Sequence, residues 1–483
     1  MNFKMLFSIS IFFLISNISY GQDCDCESNF QWVKTTFEEN DAGFQYIIDR
    51  KGQQAYDIHN AIFADKIKSA NNLMECADLL YEWLTFFRSG HIGIEMPKYG
   101  AIPNHATQQA EAFYGKIENP DITGFEKYIE QKKEADYEGI WEIGAYRIGI
   151  RKDGDGYIGF IIDSEADEWT KGQIKLRIRK EGGKYKSVFY LRNHQPEEYD
   201  KVELLGNTHL QIGGNILKRI SPSFPKENVV ENHIKYLSAR NPYLDEINGN
   251  TLLLRIPSFG YDQKKMIDSV ILSNRDKILS TENLIIDLRN NGGGSDQSFS
   301  ELIPFLYTNP IRTVGVQFLS TRLNNEMMLD YATNPEYGFD EETKKWARES
   351  YDKMQQHLNE FVDIFPDMVS IDEFDTIYPY PKKIAILINK GNASTAEQFL
   401  LAAKQSKKVK LFGVTTGGAL DISNMNVVES PCKQFRLWYC MSKSHRIPGM
   451  TIDDIGIQPD FYIDNTIPDY QWVKFATDIL EMK

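Results

Sequence analysis

Apolar positions recur at helical spacing early in the chain, alternate over short stretches in the middle, and form unbroken runs in the second half. Phe30, Val33 and Phe37, then Leu79, Leu80, Trp83, Leu84 and Phe87, predict helices over residues 28–88. Gly90, within Arg88-Ser89-Gly90-His91-Ile92-Gly93-Ile94, predicts the end of the last helix and a short strand after it. Residues 98–135 are polar and mixed, with Pro103 and Pro120, and read as a linker with one helix. Between 136 and 240 the β-prone runs 145–152, 156–162, 173–180, 185–191 and 209–212, punctuated by Gly, Asp and Asn, predict a small barrel or sheet module. From 246 to 483 the pattern changes again. Strands at 251–256, 283–288, 384–389 and 409–414 alternate with helices at 263–280, after Gly292-Gly293-Gly294, and at 395–405. That alternation predicts a mixed α/β domain. Residues 322–375 read as a helical insertion, with Trp346, Met354 and Phe361 on one face.

With 483 residues the chain exceeds one ordinary core, which agrees with several units. A formal net charge of −14 excludes nucleic acid and anionic membrane surfaces as expected partners of the chain as a whole. Residues 1–21 have the pattern of a cleaved signal peptide: Lys4, an uncharged apolar stretch over 6–18, then Ser19-Tyr20-Gly21 before Gln22. The stretch is short for a membrane span, and no later segment is long and apolar enough for one. An exported protein, periplasmic or extracellular, is therefore expected. Five cysteines suit that compartment. Cys432 and Cys440 are placed to staple a hairpin, and Cys24 or Cys26 to pair with Cys76, leaving one over. Metal binding by Cys24 and Cys26 lacks a second ligand pair at zinc spacing.

The chemistry concentrates where two apolar runs break. Leu284-Ile285-Ile286-Asp287-Leu288-Arg289-Asn290-Asn291 runs into Gly292-Gly293-Gly294, and Ile386-Leu387-Ile388-Asn389-Lys390-Gly391-Asn392-Ala393 runs into Ser394-Thr395. Taken alone, Ser394 reads as a helix N-cap. A glycine turn can cradle phosphate, but the P-loop lysine and the dinucleotide fingerprint are both missing. A turn that aims backbone N–H groups at an oxyanion fits equally, with Thr395, the residue after a serine nucleophile, as the other donor.

Asp287-Leu288-Arg289-Asn290-Asn291-Gly292-Gly293-Gly294 with Asn392-Ala393-Ser394-Thr395-Ala396-Glu397 resembles the tail-specific (C-terminal processing) serine peptidases of family S41, whose pattern is D-L-R-x-N-x-G-G and then S-A-x-E. Gly456-Ile457-Gln458-Pro459-Asp460 supplies a third element, and the match runs over about 246–465. The resemblance implies a ClpP/crotonase-like α/β peptidase domain, here preceded by an N-terminal helical region (22–97) and the β-rich module. It implies Ser394 as nucleophile and Gly293 and Thr395 as oxyanion donors, with Gly292 and Gly294 supporting the turn. One branch of the family uses a lysine downstream of the serine; that position holds Ala419. The branch that includes tricorn and retinoid-binding proteins instead places a histidine after the N-terminal helices, which points to His91 as the base. An unperturbed imidazole titrates near neutrality, as proton abstraction from serine requires. By the same resemblance Asp453, just before the third element, is the candidate acid orienting His91, with Asp454 beside it and Ser89 as a further hydrogen-bonding partner. Asp287 and Arg289 read as an ion pair that fixes the turn, and Glu397 as an acid near the helix N-terminus.

The expectation is an exported serine peptidase acting on peptide or protein substrates through a Ser-His(-Asp) acyl-enzyme, needing no metal or organic cofactor, its oligomeric state open. A non-catalytic ligand-binding protein, with an apolar pocket closed over Trp141 and Tyr146, and an esterase-like hydrolase are the alternatives. The opening Gly139-Ile140-Trp141 is similar to that of lipocalin-like barrels. No PDZ-type carboxylate-binding loop is evident in 136–240.

Overall fold

The structure, a computed structural model, describes residues 24–97, 100–101, 115–117 and 120–482. The expected signal peptide and part of the 98–135 linker lie outside the described residues. Among those described, no helix is long and apolar enough to cross a membrane.

The unbroken apolar runs form the centre of a six-stranded sheet. Its order is Tyr243–Asn248, Thr251–Arg255, Asn283–Asp287, Lys383–Ile388, Val409–Gly413 and Phe461–Tyr462, parallel except for the first pair. Alternate side chains serve opposite faces. Leu252, Leu254, Leu284, Ile286, Ile384 and Ile386 enter one core; Leu253, Ile285, Ala385, Leu387 and Phe412 enter another. Both faces are covered, so the central runs 252–254, 284–286 and 384–388 are hydrophobic throughout. Asp287 lies opposite Leu387, and Ile388 opposite Gly413. Neighbouring strands therefore end at one level, and the glycine turn, the serine turn and residues 414–419 leave the same carboxyl edge, where α/β sheets bind ligands.

Helices Cys26–Asn40, Phe44–Lys51, Gln53–Ile67 and Leu73–Leu84 form the N-terminal region. The first is capped by Asp25 and the last by Asn72. Their apolar face does not close on itself. Phe30, Phe37, Leu80, Trp83 and Phe87 share a core with Phe435, Leu437, Tyr439 and Met441. Beyond the last helix, strand Gly93–Met96 pairs antiparallel with strand Arg436–Ser444, Gly93 opposite Trp438. Disulfides Cys26–Cys76 and Cys24–Cys432 tie this region internally and to the turn before that strand. The expected Cys432–Cys440 staple is thus replaced: Cys440 is buried and free, opposite Met425, while Cys432 lies in the turn.

Residues 139–221 form a nine-stranded antiparallel sheet. Its two edge strands, Pro196–Tyr199 and Val202–Leu205, are separated along the chain by only Asp200 and Lys201, so the sheet must roll until its edges meet, and Trp141, Ile148, Phe160, Leu176, Leu210 and Leu217 fill the inside. Arg219 lies 3.9 Å over the Trp141 ring, and the Lys175 ammonium 3.9 Å over that of Tyr146. Burial among these rings brings the Lys175 ammonium down to about 7. The module's aromatic rings are covered by its own cations rather than opened into an apolar pocket.

Three expected elements differ. The helix over 263–280 breaks at Asn274, whose carboxamide bonds back to the Val270 carbonyl. A 3-10 turn, Asp296–Leu302, follows the glycines instead of a regular helix. The insertion holds helices Arg322–Thr333 and Glu341–Gln355, but Phe361 lies in strand Phe361–Val362.

Candidate active site

Strand Lys383–Ile388 leads to Ser394, and helix Thr395–Ala403 begins at once. A capping serine has extended backbone angles and bonds the first turn with its hydroxyl. Ser394 does neither: φ is 56°, ψ is −128°, and its side chain makes no cap bond. A non-glycine residue in this region costs about 1–3 kcal/mol and persists only where its surroundings over-determine it. Its N–H donates to the Ala419 carbonyl at 2.8 Å, and its carbonyl accepts from Gln398 N–H at 3.0 Å. Asn392 ties the preceding turn to the neighbouring one, donating to the Leu288 and Asn291 carbonyls. Thr395 N–H, at the first helical position, has no partner within its helix.

The glycine turn lies against the serine. A Cβ on Gly293 (φ 104°) would sit 2.8 Å from Ser394 Cβ and 2.8 Å from Thr395 N, so only glycine permits this approach. Gly294 accepts from Thr395 Oγ1 at 2.9 Å through its carbonyl. Gly292 stands apart, the nearest atom to a Cβ there being Gly391 O at 4.0 Å. The Gly293 N–H, expected to be a free donor, is bound to Asn291 Oδ1 at 2.9 Å. Beneath the turn, Arg289 grips Asp287 through Nε and Nη2 at 2.9 and 2.7 Å, as expected. Burial raises the Asp287 carboxyl, but Arg289 and Arg255 outweigh it and hold the carboxyl below its usual range.

Loop residues 419–422 join serine and histidine. Ala419 O holds Ser394, and a Cβ on Gly90 would come within 2.6 Å of Ala419 Cβ, so the segment carrying His91 packs where the lysine of the other family branch is expected. His91 Nδ1 lies 2.7 Å from the Ile422 carbonyl. A carbonyl can only accept, so Nδ1 carries the proton and Nε2 keeps its lone pair. Burial, with the nearby Arg88 charge, lowers the imidazole pKa and favours the neutral form a base needs. Among the described residues no hydrogen bond joins the Ser394 hydroxyl to the His91 ring; catalytic contacts of this kind often tighten only around substrate.

Asp453 is not on the imidazole. Its carboxylate accepts from the Leu420, Asp421 and Ile422 N–H groups at 2.6, 2.7 and 3.0 Å. The expected orienting acid therefore acts one step removed, by holding the loop whose carbonyl takes Nδ1–H. Burial pushes this carboxyl up to about 6, against those three donors. Ser89 is likewise turned away, donating to Asp454 at 2.9 Å. Glu397 does more than favour a helix end. Fully buried, it accepts from Thr416 Oγ1 and from the Gly418 and Ala419 N–H groups, setting the loop that holds Ser394. Sequence reasoning passed over Arg88 and Asp41; the one available signal is that Arg88 stands three residues before the histidine. The polar segment 442–446 ends a buried strand: Ser442 and Ser444 are covered, and Arg446 pairs with Asp421 at 2.7 Å.

Residues 250–463 match the model of peptidase family S41. No curated protein matches the chain. Among solved structures, mature CPAF is similar with a TM-score of 0.51 and 13% identity, over 95% of this chain and 95% of that one. A putative peptidase from Parabacteroides merdae gives 0.43 and 12%, over 95% and 98%. The photosystem II D1 C-terminal processing protease gives 0.39 and 12%, over 95% and 96%. At 13% identity the likeness to CPAF is one of fold.

Proposed function

Since the chain carries an S41 peptidase domain over residues 250–463, we propose that it is an exported serine peptidase with Ser394 as nucleophile and His91 as general base. The observation that carries this reading is the backbone of Ser394, held at φ 56° with its hydroxyl left uncapped at the carboxyl edge of the sheet. A structural N-cap has no use for that strain. Binding sets a scissile carbonyl over Ser394. His91 Nε2 takes the hydroxyl proton as Oγ attacks, and the imidazolium stays oriented by its Nδ1–H on Ile422. The oxyanion is received by Thr395 N–H and by Gly293 N–H, the latter leaving or sharing Asn291 Oδ1 as charge develops. Such donors supply about 3 kcal/mol each. His91 then protonates the leaving amine, and water repeats the cycle on the acyl-enzyme. Two disulfides support an oxidising destination.

The test is hydrolysis of a peptide library by the mature chain beside Ser394→Ala and His91→Ala, with covalent labelling by a fluorophosphonate and folding checked by circular dichroism. Both variants are expected to fold, and Ser394→Ala to lose labelling and on the order of 10⁴-fold or more in kcat. A wild-type chain inert to library and label alike overturns the peptidase reading. A dead serine variant beside an active histidine variant overturns His91 alone.

A further inference from the structure

His91 shares the unusual backbone angle of Ser394, with φ at 55°. No glycine eases the strain at that residue, so something must hold it. The nearest restraint is a buried ion pair from outside the peptidase domain. Arg88 and Asp41 are 5% and 2% exposed, and their contact is bidentate: Nη1 to Oδ1 at 2.8 Å, Nη2 to Oδ2 at 2.6 Å. Two further guanidinium N–H groups are aimed along the chain toward the histidine. Nε donates to the Gly90 carbonyl at 3.1 Å, and Nη2 also donates to that of His91 at 2.9 Å. Asp41 is anchored in turn, accepting from Gly43 N–H at 2.9 Å and from Cys440 N–H at 3.0 Å. The pair thus joins the end of the first helix, the histidine segment and the strand Arg436–Ser444.

We propose that the Arg88–Asp41 pair is the positioning device of the base: it locks the Gly90 and His91 carbonyls, and so the imidazole, in the orientation that faces Ser394. This rests on the reading of His91 as base. A purely structural ion pair would satisfy its donors anywhere; here two of the three N–H groups not given to Asp41 go to the carbonyls of Gly90 and His91. The planar fork is needed, because an ammonium is a point charge and cannot serve the carboxylate and both carbonyls in fixed directions.

Four variants test it: Arg88→Lys, Arg88→Gln, Asp41→Asn and His91→Ala. Each is followed by kcat and KM against pH, by fluorophosphonate labelling, and by thermal unfolding. Arg88→Lys keeps the charge and is expected to fold, with kcat down about 100-fold and KM nearly unchanged. The charged and titratable groups around the imidazole are Arg88, Asp41, the Cys440 thiol (Sγ to His91 O, 3.4 Å) and, through the loop, Asp453. Removing the Arg88 cation moves the acid limb of the profile to higher pH; removing the Asp41 anion moves it to lower pH. These shifts follow from charge alone and report only that the pair lies beside the imidazole; positioning is read in kcat of Arg88→Lys, where the charge is kept and the fork is lost. Full kcat in folded Arg88→Lys overturns the proposal while leaving a dead His91→Ala to uphold the base. An active His91→Ala removes the base, and the proposal with it. Should Arg88→Gln fail to fold, Arg88→Lys still decides the matter.

Discussion

Ser394 and His91 have nearly the same φ, 56° and 55°, but the restraints around them differ in kind. Around Ser394 they are many and mostly main-chain: the Ala419 carbonyl, the Gln398 N–H, the Asn392 carboxamide and the loop bonds of Glu397, all standing on a parallel sheet covered on both faces. Around His91 they are fewer and come from side chains: the Arg88–Asp41 ion pair, the ring hydrogen bond to Ile422 and the Cys440 thiol on the His91 carbonyl. The first arrangement spreads strain over a network, so the loss of one member is shared. The second concentrates it on a few side chains. The proposed nucleophile belongs to the core of its domain; the proposed base is delivered from another region of the chain.

The sharpest way to break this contrast is at the contact between the two supports. Gly90→Ala puts a methyl 2.6 Å from Ala419 Cβ. It is expected to lower kcat about 100-fold by displacing the base, and the double variant with Ala419→Gly to recover most of that loss, read as a double-mutant cycle in kcat. Glu397→Gln tests the redundancy around the serine. A drop in kcat/KM of about tenfold is expected, smaller than for Arg88→Lys, since the other bonds to Ser394 remain. The same variant carries a pH signature. Burial raises the Glu397 carboxyl above its usual value. Its contribution to stability is therefore fully present below the unfolded-state pKa of about 4.3 and is lost as pH rises through the folded value. The wild-type margin in unfolding temperature over Glu397→Gln should accordingly be larger at pH 4 than at pH 8. The smallest effect is Ser394→Gly, which abolishes activity yet relieves the left-handed strain. A rise in unfolding midpoint of about 2 °C is expected, where Ser394→Ala gives none.

The same contrast decides what could be read in the sequence. Strands 283–287 and 383–388 were legible because a sheet buried on both faces needs unbroken apolar runs. Ser394 was legible as a residue between strand and helix, but composition does not encode φ, and only the observed backbone separates nucleophile from cap. Asp453 was placed near the right loop with the wrong partner, because three backbone donors compete for a carboxylate as effectively as an imidazole does. The cysteine pairing was misassigned because sequence spacing does not tell which residues of a hairpin face the core, and Cys440 does. The polar residues Ser442 and Arg446 are buried on partners the sequence does not mark, Asn424 and Asp421. Arg88 carried no mark, its meaning depending on an aspartate 47 positions earlier.

The pairing of Gly93–Met96 with Arg436–Trp438 also sets a schedule. Synthesis proceeds at about 5–20 residues per second, so roughly 20–70 s separate the emergence of the histidine from that of the strand it leans on. Throughout that interval His91 and, once it is made, Ser394 belong to a polypeptide that lacks the strand on which the histidine segment leans. On the proposed roles, alignment of serine and histidine awaits the last fifty residues, a latency during biogenesis written into the order of the chain.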